Sequence, residues 1–273
     1  MSNVLITGCS GGFGLLTART LARRGDQIVA TVRDLSTAGE LRAIRNAEHL
    51  PISILQLDVR DPASVHSAVS AALDGGPIDI LVNTAGYALG SAVEETDDDE
   101  LLRQFDTTVF GVVRLVRAVA PAMRARGSGT IVNVSSIGAA APLPFSGPYS
   151  ASQAAVSALS EALHYELAPF GVRVVLIEPG PYPTTRCLTT SEAGRNATPV
   201  SPYADFAASY RRAARRLATS VRADPQEVAD AIYVAVSTDR PRFRYVVGDL
   251  AQQIATVPQV GGSQHWHERL QRA

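Results

Sequence analysis

Tyr149 and Gln153 stand four positions apart in the stretch YSASQ, and on a helix that spacing puts a phenol and a carboxamide on one face. A phenol titrates near ~10, and lowering that value by one pH unit takes about 1.4 kcal/mol. A cation beside it favours the phenolate, and a neutral amide does not. Ser136 lies thirteen residues before Tyr149. A hydroxyl and a phenol brought together can polarise a carbonyl or alcohol oxygen and move a proton to or from it. The arginines make Gln153 more conspicuous. All 25 basic residues are arginine and none is lysine, a bias that replaces one cation with another and does not explain an amide.

A second constellation opens the chain. TGCSGGFG at 7–14 follows the apolar run VLIT and precedes a helical pattern, with Gly8, Gly12 and Gly14 at G-x-x-x-G-x-G spacing. Glycines there allow a tight turn, close approach of backbone N–H groups to a pyrophosphate, and packing of the helix on its strand. The next apolar run ends in TVRD, placing Arg33 and Asp34 where a ribose 2′-substituent would lie. Arginine there pairs with a 2′-phosphate, whereas an acid accepts a 2′-hydroxyl, so Arg33 favours NADP(H) over NAD(H). Asp58 in LDVRD and Asn83 in NTAG close two further runs, in positions that suit adenine and ribose but also serve as caps and turns.

These residues need a frame. Strand-length apolar runs at 4–7, 27–32, 52–57, 78–83, 130–135, 172–178 and 244–248 alternate with helical patterns such as 15–24, 62–73 and 151–167. Strands that are apolar throughout, separated by helices, predict a doubly wound α/β fold: a mainly parallel, seven-stranded, Rossmann-like sheet with helices on both faces. No linker, repeat or low-complexity tract divides residues 1–273, so one nucleotide-binding domain is expected. The alternation pauses at 181–222, predicted to be a substrate lid over the crevice. There Tyr203, Phe206 and Tyr210 share one helical face and suit an apolar substrate, while RRAARR at 211–216 reads as a solvated face. A C-terminal extension covers 250–273.

The bulk numbers exclude other classes. A formal charge of −1 and 46% apolar residues give no footprint for nucleic acid or an anionic membrane and enough material for a sizeable core. No run spans a bilayer, and the opening MSNVLITG carries no basic leader, so a cytoplasmic location is expected. Cys9 and Cys187 form no disulfide or metal pattern, and the His265-x-His267 pair has no further ligands beside it.

With TGCSGGFG, LDV, NTAG, IVNVSS, Tyr149 and EPGPYPT in this order, the chain from residue 3 to about 250 resembles the short-chain dehydrogenase/reductase family, in particular a bacterial branch that opens TGCSSGFG. The resemblance implies that Ser136, rather than Ser135, bonds the substrate oxygen and that Tyr149 is the acid/base. It lays the dinucleotide along Gly8, Ser10, Gly12, Phe13, Gly14, Arg33, Asp58, Val59, Asn83, Ala85 and Gly86. Pro179 and Gly180 would wall the nicotinamide, Thr184 would bind its carboxamide or pyrophosphate, and Tyr149 and Gln153 would reach its ribose. It further implies a homodimer or homotetramer built by helices near 101–126 and 150–168. Two positions break the pattern: Gln153 replaces the family's lysine, and Thr108 in FDTTVFG replaces its asparagine. Both groups belong to the proton relay in the family.

Three functions follow. The first is an NADPH-dependent reductase of a small or medium, hydrophobic carbonyl compound, in which Ser136 polarises and Tyr149 donates. The second is a non-redox lyase, isomerase or cyclase reusing Ser136 and Tyr149, with the nucleotide structural or absent. The third is a nucleotide-sensing binding protein, which has little use for both hydroxyls.

Overall fold

The computed structural model describes residues 1–182, 192–193, 201–220 and 223–256. Strands β1 (Asn3–Ile6), β2 (Gln27–Val32), β3 (Ile52–Gln56), β4 (Ile80–Asn83), β6 (Gly129–Val134), β7 (Val172–Pro179) and β9 (Arg244–Val247) form one seven-stranded sheet, ordered β3-β2-β1-β4-β6-β7-β9. Every pairing in it is parallel. Each predicted apolar run is a strand; Gln27–Val32 matches to the residue, and the other six differ by one or two residues at one or both ends. A short parallel ladder that the sequence does not announce joins β5 (Leu89–Gly90) to β8 (Glu192–Ala193).

The helices are α1 (Gly12–Arg23), α2 (Gly39–Glu48), α3 (Pro62–Leu73), α4 (Asp98–Phe105), α5 (Gly111–Arg126), α6 (Gly147–Leu167), α7 (Ala204–Ser220), α8 (Gln226–Ser237) and α9 (Asp249–Ala255). Side chains alternate across a strand, and β1 shows the consequence. Val4 and Ile6 enter the core layer with Leu15, Leu21 and Ile232 of α1 and α8, while Leu5 faces the opposite layer with Val65, Leu115 and Met123 of α3 and α5. Both faces of the sheet are therefore covered, which is why its strands carry so few polar residues.

Strand order reverses direction between β1 and β4, so the crevice for a ligand opens at their carboxyl ends. Local sequence fixes the helix starts around it. Asp61 caps α3 through Ala63 N, with Pro62 behind it, and Asp97 caps α4 through Glu100 N. Between α4 and α5 the chain widens into a π turn over Asp106–Phe110, which carries Thr108. Among the described residues no helix is long and apolar enough to cross a membrane, and no cluster of three or more His, Cys, Asp or Glu could hold a metal. Cys9 is buried, and burial pushes its thiol up to about 12, an inert group. Cys187, His265 and His267 lie outside the described residues.

Candidate active site

The nucleotide side is built by the turn after β1. Gly8 has φ 74, and a Cβ on it would fall 2.9 Å from Ala85 Cα; a Cβ on Gly14 would fall 2.5 Å from Gly8 O. Only glycine fits either place, so the turn lies flush against the NTAG loop. Thr7 and Thr84 stitch the two loops together. Thr7 Oγ1 accepts from Thr84 N at 3.1 Å and from Ala85 N at 3.2 Å, and the Thr84 hydroxyl donates back to Thr7 O. In contrast to α3 and α4, α1 begins at Gly12 with no side-chain cap. No side chain there accepts from its first N–H groups, as an anion site at a helix start requires. The ring of the neighbouring Phe13 stands edge-on to Tyr182, 5.5 Å between centroids.

Farther along the crevice, Arg33 is exposed at the end of β2. Asp34 commits its carboxylate to the turn, accepting from Ser36 N at 2.8 Å, and that bond holds its pKa below the usual range. Asp58 is gripped by Arg60, with Nη2 donating at 2.8 Å, and these bonds lower its carboxyl too. Any contact from Asp58 to a base therefore shares the carboxylate with Arg60. Val59 is buried in the core beside it. Asn83 turns its amide into the sheet, where Nδ2 donates to Asn133 Oδ1 at 2.8 Å and Asn133 Nδ2 donates to Ser160 at 2.9 Å. The Asn83 side chain thus ties β4 and β6 to α6, while Gly86, farther along the same loop, is exposed.

On the chemical side, Ser136 follows β6 and opens a 3-10 turn in which its Oγ accepts from Gly138 N at 3.1 Å. That bond orients the oxygen and leaves the hydroxyl hydrogen to donate. Tyr149 comes from the first turns of α6. Both converge on Gly138, where a Cβ would lie 3.3 Å from Ser136 Oγ and 3.7 Å from Tyr149 Cε1. Ser135 is differently occupied: its buried Oγ bonds Gln153 O and Ser157 Oγ, each at 3.0 Å. Gln153 is 5% exposed, and its Oε1 is buried without a hydrogen-bond partner. An unmet buried acceptor costs about 1–3 kcal/mol, a cost that a ligand hydroxyl would offset. Pro179 ends β7, and Gly180 N donates to Val247 O at 2.9 Å. Thr184 lies outside the described residues.

The aromatic residues expected to line a substrate region do gather. Phe145, on the loop after Ser136, meets Tyr203 at 6.2 Å, Phe206 at 5.3 Å and Tyr210 at 5.8 Å between centroids. Sequence reasoning noticed the loop but not that Phe145 centres this cluster. It also missed Gln104 and Ser152, which are wholly buried and connect Thr108 to α6. The one available signal was the Gln104-to-Thr108 spacing of four on a helix.

A nicotinamide dinucleotide fits these residues on the structure's own terms: a cradle that any Cβ would fill, an uncapped helix start, and a buried acceptor lacking a donor. Comparisons with known proteins agree. The family model for short chain dehydrogenases matches residues 2–195. A 3-ketodihydrosphingosine reductase of Bacteroides thetaiotaomicron is 36% identical over 91% of this chain and 88% of its own. Human 17-beta-hydroxysteroid dehydrogenase type 1 is 36% identical over 89% and 76%. A short-chain dehydrogenase/reductase from Burkholderia phymatum in complex with NAD superposes with TM-score 0.83 at 25% identity, covering 95% of this chain and 93% of that one. Other similar structures were solved with NADPH or NADP. The glycine turn, the parallel sheet and these likenesses place the chain among enzymes that use a nicotinamide cofactor: it belongs to the short-chain dehydrogenase/reductase family.

Proposed function

We propose that the chain catalyses NADPH-dependent reduction of a carbonyl group on an apolar substrate. The observation that carries this reading is the convergence of Ser136 Oγ and the Tyr149 ring on Gly138. The same loop bears Phe145 and its aromatic neighbours from α7. The cofactor, when bound, supplies the hydride. Ser136, held by Gly138 N–H, donates its hydrogen to the substrate oxygen as negative charge develops there. Tyr149 gives that oxygen a proton, which a neutral phenol can do. Gln153 bonds the ribose hydroxyls without adding charge. Arg33 pairs with the 2′-phosphate, since Asp34 is committed to its turn. The names of the two relatives point to a sphingoid ketone and a steroid, both apolar, in keeping with the Phe145 cluster as a substrate wall.

The test is a panel of long-chain and polycyclic ketones with NADPH or NADH, followed by absorbance of the reduced cofactor. We expect turnover, with kcat/KM about tenfold or more higher for NADPH, as one charge-assisted phosphate contact provides. Tyr149→Phe should lower kcat by about a hundredfold or more, the usual weight of a positioned general acid. NADPH binding with no turnover across the panel would sink the proposal. A second reading rests on Gln153 and Thr108: the loss of both relay groups suits a non-redox lyase, isomerase or cyclase that reuses Ser136 and Tyr149.

A further inference from the structure

We infer that Gln104 is a positioning residue for the catalytic turn of α6, joining the loop after NTAG, the π turn and the Tyr149–Gln153 segment through one buried amide. The inference rests on the reading of Tyr149 as the proton donor. Gln104 is 0% exposed. Its Oε1 accepts from Leu89 N at 3.1 Å. Its Nε2 lies 2.9 Å from Thr108 Oγ1, 3.1 Å from Ser152 Oγ and 3.2 Å from Tyr87 O.

The direction of these bonds follows from the donors. Turning the amide over would set Nε2 against the Leu89 N–H, donor against donor, so Leu89 fixes which end is oxygen. Two amide hydrogens then serve three acceptors, one of them shared. Ser152 accepts from Gln104 and passes its own hydrogen to Tyr149 O at 2.7 Å. The chain of donors thus runs from the Leu89 amide, through Gln104 and Ser152, to the backbone carbonyl of Tyr149. Ser152 precedes Gln153 and follows Tyr149 by three positions, so the bond lands within the single turn that carries both side chains. Thr108 occupies the family's asparagine position, and it too is held by Gln104. In a chain without the lysine ammonium, this uncharged bridge orients the phenol and the Gln153 amide relative to the nucleotide loop.

The experiment compares Gln104→Met, Ser152→Ala and the double variant with Tyr149→Phe. One readout needs no substrate: hydrogen exchange of backbone amides with NADPH present. We expect Gln104→Met to lower protection about tenfold or more at 149–153 while 160–167, at the far end of the same helix, keeps wild-type protection. Simple destabilisation would loosen both ends. The second readout is kinetic, on the best ketone of the panel. We expect kcat to fall about tenfold in Gln104→Met with KM within about twofold, because misplacement of a reacting group acts on the chemical step. Ser152→Ala, a milder deletion, should fall less, and the double variant should be no worse than Gln104→Met. Unchanged exchange at 149–153, or losses in the two variants that multiply, would overturn the inference. Full activity in Tyr149→Phe would instead overturn the donor assignment, whatever Gln104 does.

Discussion

At the residue scale the proposed chemistry turns on Gln153, an uncharged amide four positions after Tyr149 on the same helix. On that proposal Gln153 orients a ribose but brings no charge to stabilise a phenolate, so the two directions of reaction are affected unequally. Reduction needs Tyr149 only as an acid; oxidation of an alcohol needs its base form. Gln153→Lys puts a cation beside the phenol, and a tenfold gain in the base fraction corresponds to about 1.4 kcal/mol of added stabilisation. We therefore expect Gln153→Lys to raise alcohol oxidation with NADP near neutral pH about tenfold, and ketone reduction by less. The half-maximal pH for oxidation should move down. Rates in both directions from about pH 6 to 11 provide the check. A fall in the native activity with no gain in either direction would favour the non-redox reading, in which the amide has a job of its own.

At the element scale the proposed substrate wall depends on how α7 meets the loop after Ser136. Phe145 is the shared ring of three aromatic contacts and holds a left-handed backbone, φ 63, that few non-glycine residues adopt. Aromatic pairs contribute about 0.5–1.5 kcal/mol each beyond their area. Phe145→Ala should thus raise KM for apolar ketones about tenfold while leaving NADPH affinity unchanged; an unaltered KM would remove the cluster from the substrate path. This part of the site was half legible. Tyr203, Phe206 and Tyr210 announce a helical face by spacing, and the seven strands announce themselves because burial on both faces strips them of polar residues. The glycine turn was legible for a similar reason, since its backbone geometry tolerates little else. By contrast, the partners of Gln104 lie up to 48 positions away, and no local pattern records which buried hydroxyl an amide will meet. The β5–β8 ladder was hidden too, because two residues per strand leave no periodicity to detect.

At the scale of the whole molecule, two carboxylates with opposed environments make stability depend on pH in opposite senses. Glu48, at the end of α2, accepts from Arg23 Nε at 2.6 Å and Arg19 Nε at 2.8 Å on α1, and these bonds lower its pKa to about 2. The unfolded chain takes up that proton first, so the contribution is present above the ordinary value near ~4.3 and fades as pH falls toward about 2. Glu178 on β7 is 3% exposed. Burial raises its pKa, against the partial opposition of Arg244 at 3.5 Å and a hydrogen bond from Ser157 at 3.1 Å. Its folded form keeps a proton that the unfolded chain has already released, so stability falls as pH rises through that interval. Thermal melts from about pH 2.5 to 8 should separate the two. Glu48→Gln should melt below the wild type near neutral pH, with the gap closing as the solution approaches about pH 2.5. Glu178→Gln should gain on the wild type as pH rises above about 4.3, because the neutral amide escapes the cost of ionising inside the sheet. A constant gap for Glu178→Gln across the whole range would show that the carboxyl titrates alike in the folded and unfolded chain, with Arg244 and Ser157 sufficient to cancel its burial.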